Sequence, residues 1–482
     1  MSNSSRRQFI HNALAAGTAA VAAPAFVREL RADSPNESLQ VAVIGCNGRG
    51  QSHMSGLNKR HGCKVTRICD CDENVGAKAV DHIKRSGVEC TYVKDMRELF
   101  DDQAVDIVTV ATPNHWHALA AIWAMQAGKD VYVEKPVCHN VSEGRRMVQV
   151  ARKYKKICQT GTQNRSHRAH IDALDFLRDG GIGSCNLARA ICYKRRGSIG
   201  PPGNYDPPEG LDYDLWQGPA SERPITRRRF HYDWHWQYHW GNGDMGNQAP
   251  HQIDLCRWAL DVHSLSENVI SYGGRLGYED AGDVANTQVA IHNFDGGKKT
   301  LIIEVRGLKS ENYRGANWFG YCLHGSDGYI VMNSYSGGKA YTKDGQVVKQ
   351  FSGGGDHYGN FVQAVRSRNH EDLTADILEG HLSAGLAHTA TISYLLGEET
   401  RVAKIEDVIG QVQSRDDEMD TLERCVGHLK KNDVDLKKTP ITLGPMLTMD
   451  PAKEVFTNHD AANKLLTREY RKPFVVPGEN EV

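Results

Sequence analysis

From about residue 39 onward the chain alternates short apolar runs with longer amphipathic stretches. The first run, Leu39-Gln40-Val41-Ala42-Val43-Ile44, stops at Gly45. So short and so apolar a segment has the form of a strand buried on both faces of a parallel sheet. Gly45-Cys46-Asn47-Gly48-Arg49-Gly50 follows and opens a helical stretch. The pattern then recurs at residues 64–69, at 105–111 before Thr112-Pro113-Asn114-His115-Trp116-His117, and at 131–133 before Glu134-Lys135-Pro136. Strands alternating with helices predict an α/β unit over residues 38–160, a doubly wound parallel sheet. Its loops at the carboxyl ends of the strands form the ligand edge.

The second half reads differently. Residues 188–193, 284–294 and 300–306 are longer strands of alternating polar and apolar character, which predicts an open, mostly antiparallel sheet in an α+β domain spanning 161–400. Helical spacing over 357–396 predicts helices that pack back onto the first domain. Residues 401–482 form a charged C-terminal extension with a helix near 416–431, an arm able to wrap the core or a neighbouring subunit.

The glycine loop suggests the first chemistry. Backbone N–H groups at a helix N-terminus can cradle a pyrophosphate, so Gly45, Asn47, Gly48, Arg49 and Gly50 are candidates to bind a dinucleotide in a Rossmann domain. Asp70 ends the second strand about twenty residues past Gly50, where a carboxylate accepts hydrogen bonds from an adenosine ribose and repels a 2′-phosphate. The expected cofactor is therefore NAD more than NADP, although Arg49 and Arg67 stand near enough in sequence to weigh the other way.

Composition narrows the partners. With 58 basic and 59 acidic residues the net charge is -1, so no global field draws the chain to nucleic acid or to an anionic membrane, and a small neutral partner is expected. The first 32 residues stand apart: Ser5-Arg6-Arg7-Gln8-Phe9-Ile10 precedes an Ala-rich apolar run and Ala23-Pro24-Ala25. That layout resembles a twin-arginine signal peptide, which implies export of folded protein to the periplasm and, because free NAD is scarce there, a tightly bound cofactor. No other apolar run approaches the ~20 residues of a membrane span. Of the twelve cysteines, Cys46, Cys69, Cys158 and Cys192 lie in or beside predicted strands, as small buried hydrophobes would, with no zinc spacing.

The glycine loop, Asp70, the Thr112-Pro113-Asn114 to His117 loop, Glu134-Lys135-Pro136 and Asn247-x-x-x-His251-x-x-Asp254 together resemble the glucose-fructose oxidoreductase, inositol dehydrogenase and rhizopine-catabolism family, written Gfo/Idh/MocA, over roughly residues 39–400. The resemblance implies a sugar or polyol substrate. It places Lys135 beside the nicotinamide as the group acting on the reacting hydroxyl, and Thr112, Pro113, Asn114, His117, Glu134 and Gln163 around the cofactor. The family's usual Asp and His pair corresponds to Asn247 and His251, four apart on one helical face. An amide accepts no proton at neutral pH, so the proton would pass through Lys135 and His251 with Asp244 nearby. Asp254 would anchor structure and hold His251 in one tautomer. The resemblance also implies a cis bond before Pro136, and a homo-oligomer built on the free face of the second sheet.

Residues 230–240 form the densest aromatic segment in a chain that is 8% aromatic, and Trp234 and Trp236 are the candidates for stacking on a sugar ring. Packing beneath the pocket is an equal reading. His231, His235 and His239 recur every four residues, but no carboxylate or cysteine joins them at ligand spacing and no metal is assigned. The leading expectation is an NAD(H)-dependent oxidoreductase acting on CH–OH groups. Two alternatives stay open: a glycosidase or epimerase that oxidises its sugar transiently, and a non-enzymatic nucleotide- or sugar-binding protein.

Overall fold

Val41, Ala42, Val43 and Ile44 are fully buried at the centre of a parallel sheet, as their unbroken apolar run requires. The computed structural model describes residues 38–482, and the signal-peptide reading of residues 1–32 lies outside them. The first sheet comprises β1 (Leu39–Ile44), β2 (Cys63–Cys69), β3 (Thr91–Val93), β4 (Ile107–Val110), β5 (Asp130–Val133) and β6 (Cys158–Thr160), in the order β3-β2-β1-β4-β5-β6. All its pairings are parallel. The order reverses between β1 and β4, and at such a switch point the loops diverge and leave a crevice. Helix α1 (Arg49–Leu57) follows the glycine loop, and α2 (Asn114–Gln126) follows the 112–113 loop.

The second sheet is built from β7 (Cys185–Cys192), β8 (Asn268–Gly274), β9 (Thr287–Phe294), β10 (Lys299–Arg306), β11 (Gly320–Gly325), β12 (Gly328–Ser334), β13 (Gly337–Thr342), β14 (Val347–Ser352), β15 (Glu398–Thr400) and β16 (Ile441–Leu443). The order is β14-β13-β12-β11-β7-β10-β9-β8-β16-β15. Only β7 and β10 pair in parallel among these strands; the other neighbours are antiparallel. Helices α3 (Pro250–Ala259) and α4 (Ile377–Leu395) cover one face, where Leu255, Cys256, Leu386 and Ala390 join Ala290, Leu301 and Ile303 in one core.

The other face corrects an expectation. Every residue of β9 is buried, although its sequence alternates. Helices α5 (Val402–Ile409) and α6 (Glu418–Lys431) lie on that face, with Ile405, Ile409, Leu422 and Leu429 packed against Ile270, Ile291 and Ile302. There Glu304 accepts from Arg189 (2.8 Å), Arg424 (2.9 Å), Arg306 (3.1 Å) and the Tyr193 hydroxyl (2.6 Å). Residues 401–482 are thus part of the body. Ile441–Leu443 adds a strand beside β8, and Phe474 packs 5.3 Å from Trp116 on α2. Over β8, β9 and β10 that sheet face is covered by the chain's own helices. All twelve cysteines are free thiols.

Candidate active site

The glycine loop turns at Gly45, whose φ is +80° and where a Cβ would stand 2.7 Å from the Ala111 carbonyl carbon. Only glycine lets β1 and β4 approach so closely at their ends. Gly48, also at positive φ, faces open space, and Gly50 sits beneath the loop with no side on the cavity. Asp70 closes β2: its carboxylate accepts from the Cys46 N–H (2.9 Å) and the Asp72 N–H (3.0 Å), which fixes it against the loop. Burial pushes its pKa up and the two backbone donors oppose that.

These groups open on a cavity of about 810 Å³ along the switch point. Gly45, Asn47, Gly48, Arg49 and Asp70 line one end; Thr112, Pro113, Asn114, His117 and Gln163 line its floor. His117 lies with its ring nitrogens 2.6 Å from the Pro136 carbonyl and 2.7 Å from that of Thr112, and so braces the two loops together. Thr112 Oγ1, Gln163 Oε1 and His251 Nδ1 are buried without a hydrogen-bond partner. Unmet polar atoms around a glycine cradle are what a dinucleotide would satisfy, so the residues fit an NAD-type cofactor.

Glu134 and Lys135, neighbours in sequence, do different work. Glu134 is buried, with Oε1 2.7 Å from Arg49 Nε and 3.1 Å from His53 Nε2. Burial alone would raise its pKa, but Arg49, His53 and Lys135 hold it well below the usual range. At Gly161 a Cβ would lie 2.8 Å from this carboxylate, so the glycine makes room for it. Glu134 therefore ties the helix that follows the glycine loop to the 134–136 loop. Lys135, before a cis bond to Pro136, donates from Nζ to the Asn247 carbonyl at 2.7 Å. Burial, with Arg49 and Lys194 nearby, pushes its pKa down to about 8 against the pull of Glu134.

Three parts of the predicted proton relay are corrected. Asn247 and His251 do not share one helix. A short helix ends at Asn247 and α3 starts at Pro250, which has no N–H to continue the ladder. Both residues nonetheless line the cavity. Asp244 does not: Arg196 holds both its oxygens, at 2.6 and 2.7 Å. Asp254 does not orient His251 either, because it accepts from Arg165 Nε (2.7 Å) and Ser383 Oγ (2.8 Å). Burial first, then the Lys135 charge, holds His251 well below its ordinary pKa, so the ring is neutral at pH 7.

The aromatic segment divides between both readings. Arg227 is buried with its guanidinium 4.5–4.7 Å from the Trp216, Phe230 and Trp240 rings; Trp216 and Phe230 line the cavity, and Arg227 and Trp240 pack behind them. Trp234 lines the cavity, stacked on His235 at 3.7 Å. Trp236 does not line it and instead sits 5.0 Å from the Arg196 guanidinium. The histidines go separate ways, His231 to Asp72, His235 to the Tyr232 carbonyl and His239 to that of Ser221. Sequence reasoning missed Lys194, Gln248 and Tyr335 on the cavity wall. Lys194 lies just past the end of β7 and Tyr335 in the turn after β12, with no local motif to mark either.

With this geometry in view, two family models match the chain. Residues 39–162 fit an oxidoreductase family, NAD-binding Rossmann fold, and residues 203–408 fit an oxidoreductase family, C-terminal alpha/beta domain. The chain belongs to the Gfo/Idh/MocA oxidoreductase family. Among curated relatives, the alpha-N-acetylgalactosaminidase of Shewanella oneidensis is 31% identical over 156 residues, 30% of this chain and 33% of that protein. A glycosyl hydrolase family 109 protein 1 of Shewanella sp. (strain ANA-3) matches to the same extent. The likeness thus spans about a third of the length of these Gfo/Idh/MocA relatives. Among solved structures, levoglucosan dehydrogenase in complex with NADH and levoglucosan aligns with a TM-score of 0.55 at 19% identity, over 74% of this chain and 96% of that one. The WlbA dehydrogenase from Bordetella pertussis in complex with NADH and UDP-GlcNAcA gives 0.54 at 18%, over 74% and 95%. At these identities the likeness is one of fold.

Proposed function

We propose that this Gfo/Idh/MocA protein is an NAD(H)-dependent oxidoreductase that oxidises a hydroxyl of a sugar or polyol, or reduces the matching carbonyl. One observation carries the reading: Lys135 faces the same cavity as the glycine loop, its ammonium aimed by the Asn247 carbonyl and its pKa brought near the working range. A bound nicotinamide would supply the hydride acceptor. With a hydride acceptor in place, unprotonated Lys135 Nζ would take the hydroxyl proton as the carbonyl forms, and neutral His251, whose Nδ1 has no other partner, would donate an N–H hydrogen bond to the same oxygen. Asn247 orients Lys135 and carries no proton.

NAD is favoured over NADP on electrostatic grounds. Asp70 is fixed at the end of β2, where it would meet the ribose of a bound dinucleotide, while the two arginines that could hold a 2′-phosphate are paired, Arg49 with Glu134 and Arg67 with Asp102 at 2.8 Å. Replacing Asp70 by Ala is expected to weaken NAD binding about tenfold to a hundredfold, the worth of hydrogen bonds to a charged acceptor. NADP should gain relative to NAD. Titration showing that the unmodified protein already prefers NADP would remove the assignment.

A second reading follows from the curated relatives named as glycosyl hydrolases. The same cavity could oxidise a glycoside transiently and return the hydride after bond cleavage. The paired arginines at residues 6–7 add the proposal that the protein is exported folded, by the twin-arginine route, with its cofactor retained. One preparation tests these points together. The protein is recovered from the exported fraction, one portion is denatured to identify released nucleotide, and another is given sugars, polyols and glycosides while cofactor absorbance and product masses are followed. Reduced cofactor formed in step with an oxidised product supports the dehydrogenase; cleaved product without net NADH supports the second reading. Much less than one dinucleotide per chain would defeat retention, and absence from that fraction would defeat export.

A further inference from the structure

The substrate side of the cavity holds positive charge that its carboxylates do not balance. Arg49 is matched by Glu134, and Arg196 behind the wall by Asp244. Lys135 and Lys194 both line the cavity, and neither has a carboxylate within ion-pair distance among the described residues. Their acceptors are neutral and consecutive: Lys135 donates to the Asn247 carbonyl and Lys194 to Gln248 Oε1 at 3.3 Å. Two ammonium groups are thus brought to one wall by adjacent residues at a helix end. Burial first, then Arg196, pushes the Lys194 pKa down against the weaker pull of Asp244, which Arg196 already holds.

The setting of Lys194 suits a ring as well as a charge. Its ammonium lies 5.6 Å from the Trp318 ring, which is 43% exposed and stands edge-on at 5.3 Å to Tyr335 on the cavity wall. A partly exposed indole, with the ammonium over one side of its ring, presents apolar surface for the C–H side of a pyranose next to an anion receptor. We propose that Lys194 is a specificity-determining residue that receives an anionic substituent, a carboxylate or a phosphate, on the sugar whose hydroxyl meets Lys135. The proposal rests on the oxidoreductase reading for where the sugar lies, but binding through Lys194 requires no turnover.

The test uses the full chain saturated with NADH and titrated calorimetrically with glucose, glucuronate and glucose 6-phosphate. Wild-type protein should bind at least one anionic probe about tenfold to a hundredfold more tightly than glucose, an advantage that shrinks as salt rises. Lys194→Gln should remove that advantage and Lys194→Arg should keep most of it. Preference for glucuronate assigns a carboxylate; preference for glucose 6-phosphate assigns a phosphate. The proposal is overturned if neither anion binds more tightly than glucose, or if Lys194→Gln lowers all three affinities alike in protein that still binds NADH. Binding that follows the expected pattern, with no hydride transferred between cofactor and sugar when the protein is loaded instead with NAD⁺ and offered the sugar and polyol panel, would count against the oxidoreductase reading alone.

Discussion

Lys135→Ala is expected to lower turnover by about two to four powers of ten while NADH still binds, because the amine acts on the hydroxyl and not on the pyrophosphate. Its placement makes the loss specific. Nζ is held by the Asn247 carbonyl, not by Glu134, so truncation leaves the Glu134–Arg49 tie under the glycine loop intact. The sign of the pH dependence follows from a pKa pushed down to about 8. In the oxidation direction Lys135 must be unprotonated to accept, so the rate rises with pH through about 8. In reduction the ammonium donates, so the rate falls over the same range. Both limbs should vanish in Lys135→Ala. Turnover within a few-fold of wild type, or an unchanged alkaline limb, would take the proton transfer away from this residue. Tight NADH binding by the variant, measured by fluorescence titration, separates lost chemistry from a lost cofactor site.

Glu304→Ala is expected to destabilise the fold by about 3–5 kcal/mol, the usual result of removing one member of a buried charge cluster. Glu304 is fully buried and its two oxygens serve Arg189, Arg306 and Arg424. Burial would raise its pKa, but the three guanidinium groups overcome that and hold it far below the ordinary glutamate range. Without it Arg189 keeps only Asp416 and Thr421, and Arg424 keeps Asp420 on its own helix but loses its anion on the sheet. Urea unfolding should show a lower midpoint, and brief proteolysis should cut first within residues 401–440, where the helices would come loose from the sheet. The depressed pKa sets the acid response: the stabilisation is complete above the ordinary glutamate range and is lost progressively as pH falls from that range through the lower folded value. A change under about 1 kcal/mol would mean that apolar packing alone holds the two helices in place.

The nucleotide half was legible because its signals are local. A strand that must be buried on both faces is apolar throughout, a turn that must approach β4 needs Gly45, and a ribose carboxylate must end the next strand, as Asp70 does. Parallel winding then carries the 45–50, 112–117 and 134–136 loops to one edge whatever the side chains between them. That edge put Lys135 in the ligand crevice before any coordinates, while Gln163 and His251 were named only through the family resemblance. The second sheet was legible as strands, but its burial was not. Alternation along β9 reads as one wet face until the helices at 402–409 and 418–431 are seen lying on it.

The sequence alone thus determined the dinucleotide fold, the family and the residues at the strand ends, since each is encoded within a few consecutive positions. Only the tertiary structure decided which charges pair. Several carboxylates and guanidinium groups compete for one another, and proximity across 48 residues gives Asp244 to Arg196, just as proximity across 85 gives Glu134 to Arg49. The same competition leaves Lys194 without an acid and places it beside Lys135. Spacing along the chain carries no trace of that arrangement, because the free energy of an ion pair depends on distance and burial and not on separation in sequence.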